Sequence, residues 1–194
     1  MLIDAGLKDV IGMEGGILAW KGLVASGPPE AGMAYFPQEE RSEKLIALAW
    51  ALEEGSRRFY AGVAGKTQDR DAVALFQGLA SAEEQHKSTL LKLFHEIAHD
   101  AYASKSPEAL VPDTPAGEIM EGGMRVDEAL AWAGGKDTAD ILDLSIALES
   151  NAFDLYMKME RAAGEEHSKQ VFHALSEEER QHLNRMTLLI EKRA

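Results

Sequence analysis

Two stretches of the chain repeat each other, and that repeat limits the fold more than any other feature. Residues 45–96 align without a gap on residues 141–192, a shift of 96 positions. Eleven of the 52 paired positions are identical. Helical composition accounts for several matched Leu and Ala residues, so the weight rests on the ionisable pairs. Glu53, Glu83 and His86 align with Glu149, Glu179 and His182. Each half therefore carries a Glu, a second Glu 30 residues later, and a His three residues after that. A duplicated helical hairpin is the unit such a pattern implies.

Glycine and proline mark where the helices stop. From Glu39 to about Asp100 the apolar pattern has a helical period, interrupted at Gly65-Lys66-Thr67-Gln68-Asp69. Residues 101–123 hold three Pro and three Gly and read as a connection. A short amphipathic piece, Val126 to Trp132, ends at Gly134-Gly135. Two further helical stretches follow, roughly 138–163 and 165–192, parted near Gly164. Four long helices are expected, with a long crossover of roughly 37 residues between the second and third. The Val/Ile/Thr alternation of strands is absent over this region.

The next question is which helical face carries the repeated acids. The seam of the first helix is Ile46, Ala49, Glu53, Ser56, Tyr60 and Val63. That of the second is Ala72, Phe76, Leu79, Glu83, His86, Leu90, Leu93 and Ile97. The third gives Leu142, Ser145, Glu149, Ala152, Tyr156 and Met159, and the fourth Phe172, Leu175, Glu179, His182, Met186 and Leu189. Each acid falls inside an apolar stripe. Glu54, Glu84 and Glu178 are about 100° off it and read as solvated.

Four glutamates in one core need a counter-charge, because a buried unpaired carboxylate costs several kcal/mol or protonates. These seams carry no Lys or Arg. Two divalent cations would balance the four carboxylates, with two neutral imidazoles completing the ligand set. Glu83 with His86, and Glu179 with His182, are three apart and can reach one metal together. Glu53 and Glu149 are then free to bridge or to cap. Four-helix di-metal carboxylate proteins use this arrangement, one Glu from each of two helices and Glu-x-x-His from each of the other two.

The rest of the composition excludes alternatives. The formal net charge is −13, which disfavours nucleic acid and anionic membrane surfaces. There is no Cys, so disulfides, thiolate nucleophiles and Cys-ligated metal sites are out. The N-terminus has no secretory pattern. The longest clean apolar run, Leu45 to Leu52, is too short to span a bilayer. A cytoplasmic location is the expectation.

The segments Glu53-Glu-Gly-Ser-Arg-Arg-Phe-Tyr60 and Leu79-Ala-Ser-Ala-Glu83-Glu-Gln-His86 resemble the first half of a ferritin-like, rubrerythrin-type di-iron protein. Glu149-Ser-Asn-Ala-Phe-Asp-Leu-Tyr156 and Leu175-Ser-Glu-Glu-Glu179-Arg-Gln-His182 resemble the second half. The resemblance covers roughly residues 38–193. It implies an all-α, ferritin-like four-helix bundle around two iron ions that react with hydrogen peroxide or oxygen. Rubrerythrins often carry a Cys-ligated rubredoxin domain as electron donor; with no Cys here, an external electron donor is expected. They also carry an extra Glu three residues after the third-helix ligand. Here that position is Ala152, with Ser56 as its repeat mate. The expected site is the symmetric six-ligand kind, closer in this respect to bacterioferritin.

Residues 1–32 stand apart from the bundle. Leu7 to Gly22, and Gly15-Gly16-Ile17-Leu18-Ala19-Trp20 within it, resemble the end of a rhodanese domain. Without a Cys nucleophile, sulfur transfer by that mechanism is not expected.

Other signals carry less. His95-Glu96-Ile97-Ala98-His99 spells the zinc-protease motif H-E-x-x-H. His95 follows His86 by nine residues, about two and a half turns, so it faces away from the seam. A third ligand would have to come from Glu118 or Glu121 of the crossover. His167 and His173 lie off the seam. Tyr60 and Tyr156 are core residues first and donors to a carboxylate or peroxide second.

The leading expectation is a peroxide- or oxygen-reducing oxidoreductase whose di-metal centre is held by Glu53, Glu83, His86, Glu149, Glu179 and His182, with no separate protein base named. Carboxylate with imidazole suits iron, manganese and zinc alike. Ferroxidase and iron handling, or a non-enzymatic metal-binding partner protein, are the competing readings. A homodimer is expected, its crossover either folding back or exchanging halves between chains.

Overall fold

A computed structural model describes residues 42–98, 105–111 and 117–192. The rhodanese-like segment, residues 1–32, lies outside them. The described residues form helices α1 (Ser42–Ala64), α2 (Arg70–Ile97), α3 (Val126–Ala133), α4 (Thr138–Ala162) and α5 (Glu166–Glu191), with single 3-10 turns at Pro107–Leu110 and Glu121–Gly123. No strand occurs among them; one isolated antiparallel bridge joins Ile119 to Arg125. The protein is an all-α, ferritin-like bundle, with α1–α2 and α4–α5 as its two hairpins.

Local chemistry sets the helix starts. The Asp69 side chain accepts from the amides of Asp71 and Ala72 at 3.0 and 3.1 Å, opening α2. Asp137 does the same for α4 through the Asp140 amide at 2.9 Å. Each satisfies donors that the first helical turn leaves unpaired.

Burial follows the expected seams. Every seam residue is buried except Ile97 and Leu189, both near helix ends. The apolar residues form two separate clusters. One gathers Phe59, Tyr60, Phe76, Leu79, Leu142 and Met186. The other gathers Leu52, Leu90, Phe94, Tyr156, Phe172 and Leu175. Each of the four long helices gives one end to each cluster, and its acidic seam residue falls at the changeover. A polar layer is thus held between two apolar ones, which keep bulk water from both of its sides.

The crossover returns across the bundle and contributes α3 on the way. Residues 118–126 make a tight turn, with Val126 N bonded to Glu118 O at 2.9 Å and Met120 N to Met124 O at 3.0 Å. Gly122 and Gly123 sit at φ 79° and 76°, a conformation that favours glycine. Met120 is fully buried. No helix among the described residues is long and apolar enough to cross a membrane.

Candidate metal centre

The six sequence-predicted side chains converge within one chain. All six are at most 4% exposed. Nδ1 of His86 lies 3.3 Å from Oε2 of Glu53, 3.1 Å from Oε2 of Glu83 and 3.0 Å from Oε1 of Glu179. Nδ1 of His182 lies 2.9 Å from Oε2 of Glu149 and 3.1 Å from Oε2 of Glu179. The two imidazole rings stack with centroids 5.5 Å apart.

The donor atoms fall into two groups, each within 4.8 Å internally: Glu53, Glu83, His86 and Glu179, and then Glu83, Glu149, Glu179 and His182. Glu83 and Glu179 belong to both, whereas Glu53 and Glu149 each belong to one. The sequence leaves bridging and capping open. The structure makes the Glu-x-x-His glutamates the shared pair and the α1 and α4 glutamates the terminal ones.

The donor set fits cations. Oε1 of Glu179 is buried without a hydrogen bond; although it is close to His86 Nδ1, the two are not aligned as donor and acceptor. A buried carboxylate oxygen with no donor is costly unless something positive meets it. Histidines aside, the buried basic side chain among the described residues is Lys87. Its Nζ serves Glu54 and, at 3.2 Å, Glu84, and lies 4.9 Å from the Trp50 ring centre. It gives nothing to the four seam glutamates.

Electrostatics within the layer are correspondingly strained. Burial, and then the charge of Glu53, push the Glu83 carboxyl well above the usual range. Burial and the Glu149 charge do the same to Glu179. Burial would also raise Glu53, but the neighbouring His86 outweighs it and holds Glu53 low. Burial would lower the His86 imidazolium, yet the Glu53 carboxylate and the hydrogen bond to Glu178 hold it far above its ordinary value. Without metal, the layer keeps protons where cations would otherwise sit.

Tyr60 and Tyr156 reach the terminal carboxylates across the bundle. Tyr60 of α1 donates to Oε1 of Glu149 at 2.5 Å, and Tyr156 of α4 donates to Oε1 of Glu53.

Three neighbours differ from expectation. Glu178, read as solvated, is about half exposed, yet its Oε2 lies 2.9 Å from His86 Nε2. A long side chain at 100° from the seam can still lean back over a neighbouring helix. Glu54, also read as solvated, is largely buried and held down to about 2 by Arg57 first and Lys87 next. Glu121 is buried beside Ser56, whose hydroxyl donates to it. Its burial raises it to about 8. The signal that could have found it was Met120-Glu121-Gly122-Gly123, an acid flanked by a buried Met and turn glycines. Glu84 is exposed as expected.

The protease motif is not assembled among the described residues. His95 and Glu96 are exposed at the end of α2, Glu118 is exposed, and Glu121 faces Ser56. His99 lies outside the described residues. His167 and His173 are exposed, near Glu96 and Glu160 respectively.

Known proteins resemble this chain in two ways. A solved structure, a hypothetical protein from Pyrococcus furiosus, matches it with a TM-score of 0.58 at 25% identity, over 85% of this chain and 95% of that one. No curated protein matches. These comparisons lend no support to a rhodanese-like reading of residues 1–32. The rubrerythrin family model matches residues 140–194, which hold most of α4, all of α5, and Glu149, Glu179 and His182, and this match together with the buried Glu/His layer supports a ferritin-like, rubrerythrin-type metal-binding protein.

Proposed function

We propose that the chain is a di-iron oxidoreductase of rubrerythrin type that reduces hydrogen peroxide or oxygen with electrons from an external donor. One observation carries the reading: two four-residue donor groups that share Glu83 and Glu179. Glu53 with His86 and Glu149 with His182 would hold one metal each, and the shared glutamates would lie between. A bound iron pair supplies Lewis acidity and two electrons.

The protein's own part is positioning and exclusion. Tyr60 and Tyr156 orient the terminal carboxylates from opposite hairpins. The contact with Glu178 fixes the His86 ring so that Nδ1 faces the layer. The two apolar clusters close the site from both ends of the bundle, so its charges act in a medium of low dielectric. Reduction of peroxide to two waters consumes two electrons and two protons. The chain has no Cys through which a Cys-ligated centre of its own could supply those electrons.

The test is protein loaded anaerobically with ferrous iron and then given peroxide. Two irons per chain, an absorption change on oxidation and matching peroxide consumption are expected, with iron uptake lost in Glu83→Ala. Failure to bind iron, or bound iron indifferent to peroxide, overturns the proposal. Uptake of many irons per chain by a large hollow assembly in gel filtration would assign iron storage instead.

A further inference from the structure

The bundle buries one carboxylate that neither donor group uses. Glu121 is 4% exposed, lies on the crossover rather than on a helical seam, and is absent from both groups. The turn that carries it is wedged between the two hairpins. A Cβ on Gly55 of α1 would sit 2.1 Å from the Ile119 carbonyl oxygen, and a Cβ on Gly122 would sit 2.6 Å from Nδ2 of Asn151 on α4. Gly122 and Gly123 take left-handed φ values to complete the turn. Three glycines thus allow the approach that brings Glu121 to Ser56. Ser56 is three residues after Glu53, on the same face of α1. Glu53 and Glu149 are the charged groups that act on Glu121 most strongly.

A carboxylate placed there for structure alone would be paired with a cation or replaced by an apolar side chain. Its hydrogen-bond donors are instead neutral, the Ser56 hydroxyl and a backbone amide, and the charges that act on it most strongly are two further carboxylates. Repulsion of that kind is relieved by positive charge entering the layer. Four carboxylates balance two divalent ions; a pair carrying more charge leaves an excess that a fifth carboxylate offsets.

We propose that Glu121 is an additional carboxylate of the metal centre, held on the Ser56 hydroxyl one helical turn beyond Glu53 and available to a metal cation as ligand oxygen and counter-charge. The assignment rests on the di-metal reading above. It also makes the centre asymmetric, because Glu121 lies outside the duplicated segments and has no repeat mate.

Cobalt(II) titration of the full chain tests it, read by binding isotherm and by the d–d absorption that reports coordination. Glu121→Gln keeps the volume and an acceptor for Ser56. Wild type should take two cobalt ions per chain. Glu121→Gln should bind one of them about tenfold or more weakly, with altered d–d bands and an unchanged far-ultraviolet circular dichroism spectrum. Ser56→Ala, which frees the carboxylate without removing it, should bind both ions at least as tightly as wild type. A Glu121→Gln titration and spectrum identical to wild type overturn the role of Glu121 alone. Equal weakening in Glu121→Gln and Ser56→Ala also overturns it, marking a structural pair. A wild-type chain that takes up no cobalt overturns the di-metal reading, and this role with it.

Discussion

Tyr60 on α1 donates to Glu149 on α4 at 2.5 Å, and Tyr156 on α4 donates back to Glu53 on α1. Each hairpin therefore orients the terminal carboxylate of the other. Burial and the adjacent carboxylates push both phenols well above their ordinary range, so they stay neutral donors. Tyr60→Phe and Tyr156→Phe should each weaken metal binding by about 10–100-fold. Each should also destabilise the metal-free protein by about 1–3 kcal/mol, the cost of a buried acceptor left without its donor. Metal titration and urea unfolding measure the two effects. Near-equal values are expected, because the bonds are repeat mates.

Shared and terminal glutamates should fail differently. Glu83 and Glu179 serve both donor groups, Glu53 and Glu149 one each. Glu83→Ala or Glu179→Ala should abolish binding of both ions. Glu149→Ala should leave one ion per chain, held by Glu53, Glu83, His86 and Glu179. Metal analysis after dialysis, at matched protein concentration, distinguishes zero, one and two.

The two metal positions should also be unequal. Oε2 of Glu178 accepts a hydrogen bond from the outer nitrogen of His86, at 2.9 Å, and this contact holds Glu178 below its ordinary value. The repeat mate of Glu178 is Ala82, which offers no such group to His182. A carboxylate behind an imidazole raises its basicity and its affinity for metal. Glu178→Ala should weaken binding at the His86 position about tenfold and bring a two-step titration closer to one step. Glu178→Gln, which retains a hydrogen bond without the charge, should fall between.

How much of this was legible in the sequence depends on the kind of contact. Seam positions follow from helical period alone, so Glu53, Glu83, His86, Glu149, Glu179 and His182 were readable from spacing and repetition. Which glutamates are shared was not, because spacing along a helix says nothing about depth across a bundle. Glu178 and Glu54 escaped for a related reason. Helical angle places a Cβ, and a long flexible side chain then reaches well beyond it. Glu121 lies in a turn with no period, where tertiary packing through Gly55 and Gly122 decides its place.

Acidity offers a separate handle on Glu121. Burial, and then the charge of Glu53, raise its carboxyl to about 8 from an ordinary value near 4.5. Below the lower value both folded and unfolded chains hold the proton. Between the two, the unfolded chain has lost it and the folded chain keeps it, so this group's contribution to stability falls as pH rises and levels off above about 8. Glu121→Gln cannot ionise. In metal-free protein its stability should match wild type near pH 5 and exceed it near pH 8.5, on the order of the shift's free energy. Parallel stability–pH curves for the two proteins would remove Glu121 from the account. Metal should reverse the difference, since a cation replaces the proton.

Gly55 is where the crossover meets α1, and backbone lies on both sides of the contact. A Cβ there would approach Ile119 O to 2.1 Å and Met120 Cα to 2.9 Å. No side-chain rotation relieves such an overlap, so α1 or the turn must move. Helix propensity works the other way, favouring Ala over Gly by about 1 kcal/mol in a helix interior. Overpacking outweighs it, and Gly55→Ala should destabilise the protein by about 1–3 kcal/mol net. Gly65 is the control. A Cβ there meets nothing closer than 3.6 Å, so Gly65→Ala should stay within about 0.5 kcal/mol of wild type. Denaturant midpoints at constant slope measure both changes. A Gly55→Ala variant as stable as Gly65→Ala would mean that the crossover does not pack on α1 through this residue.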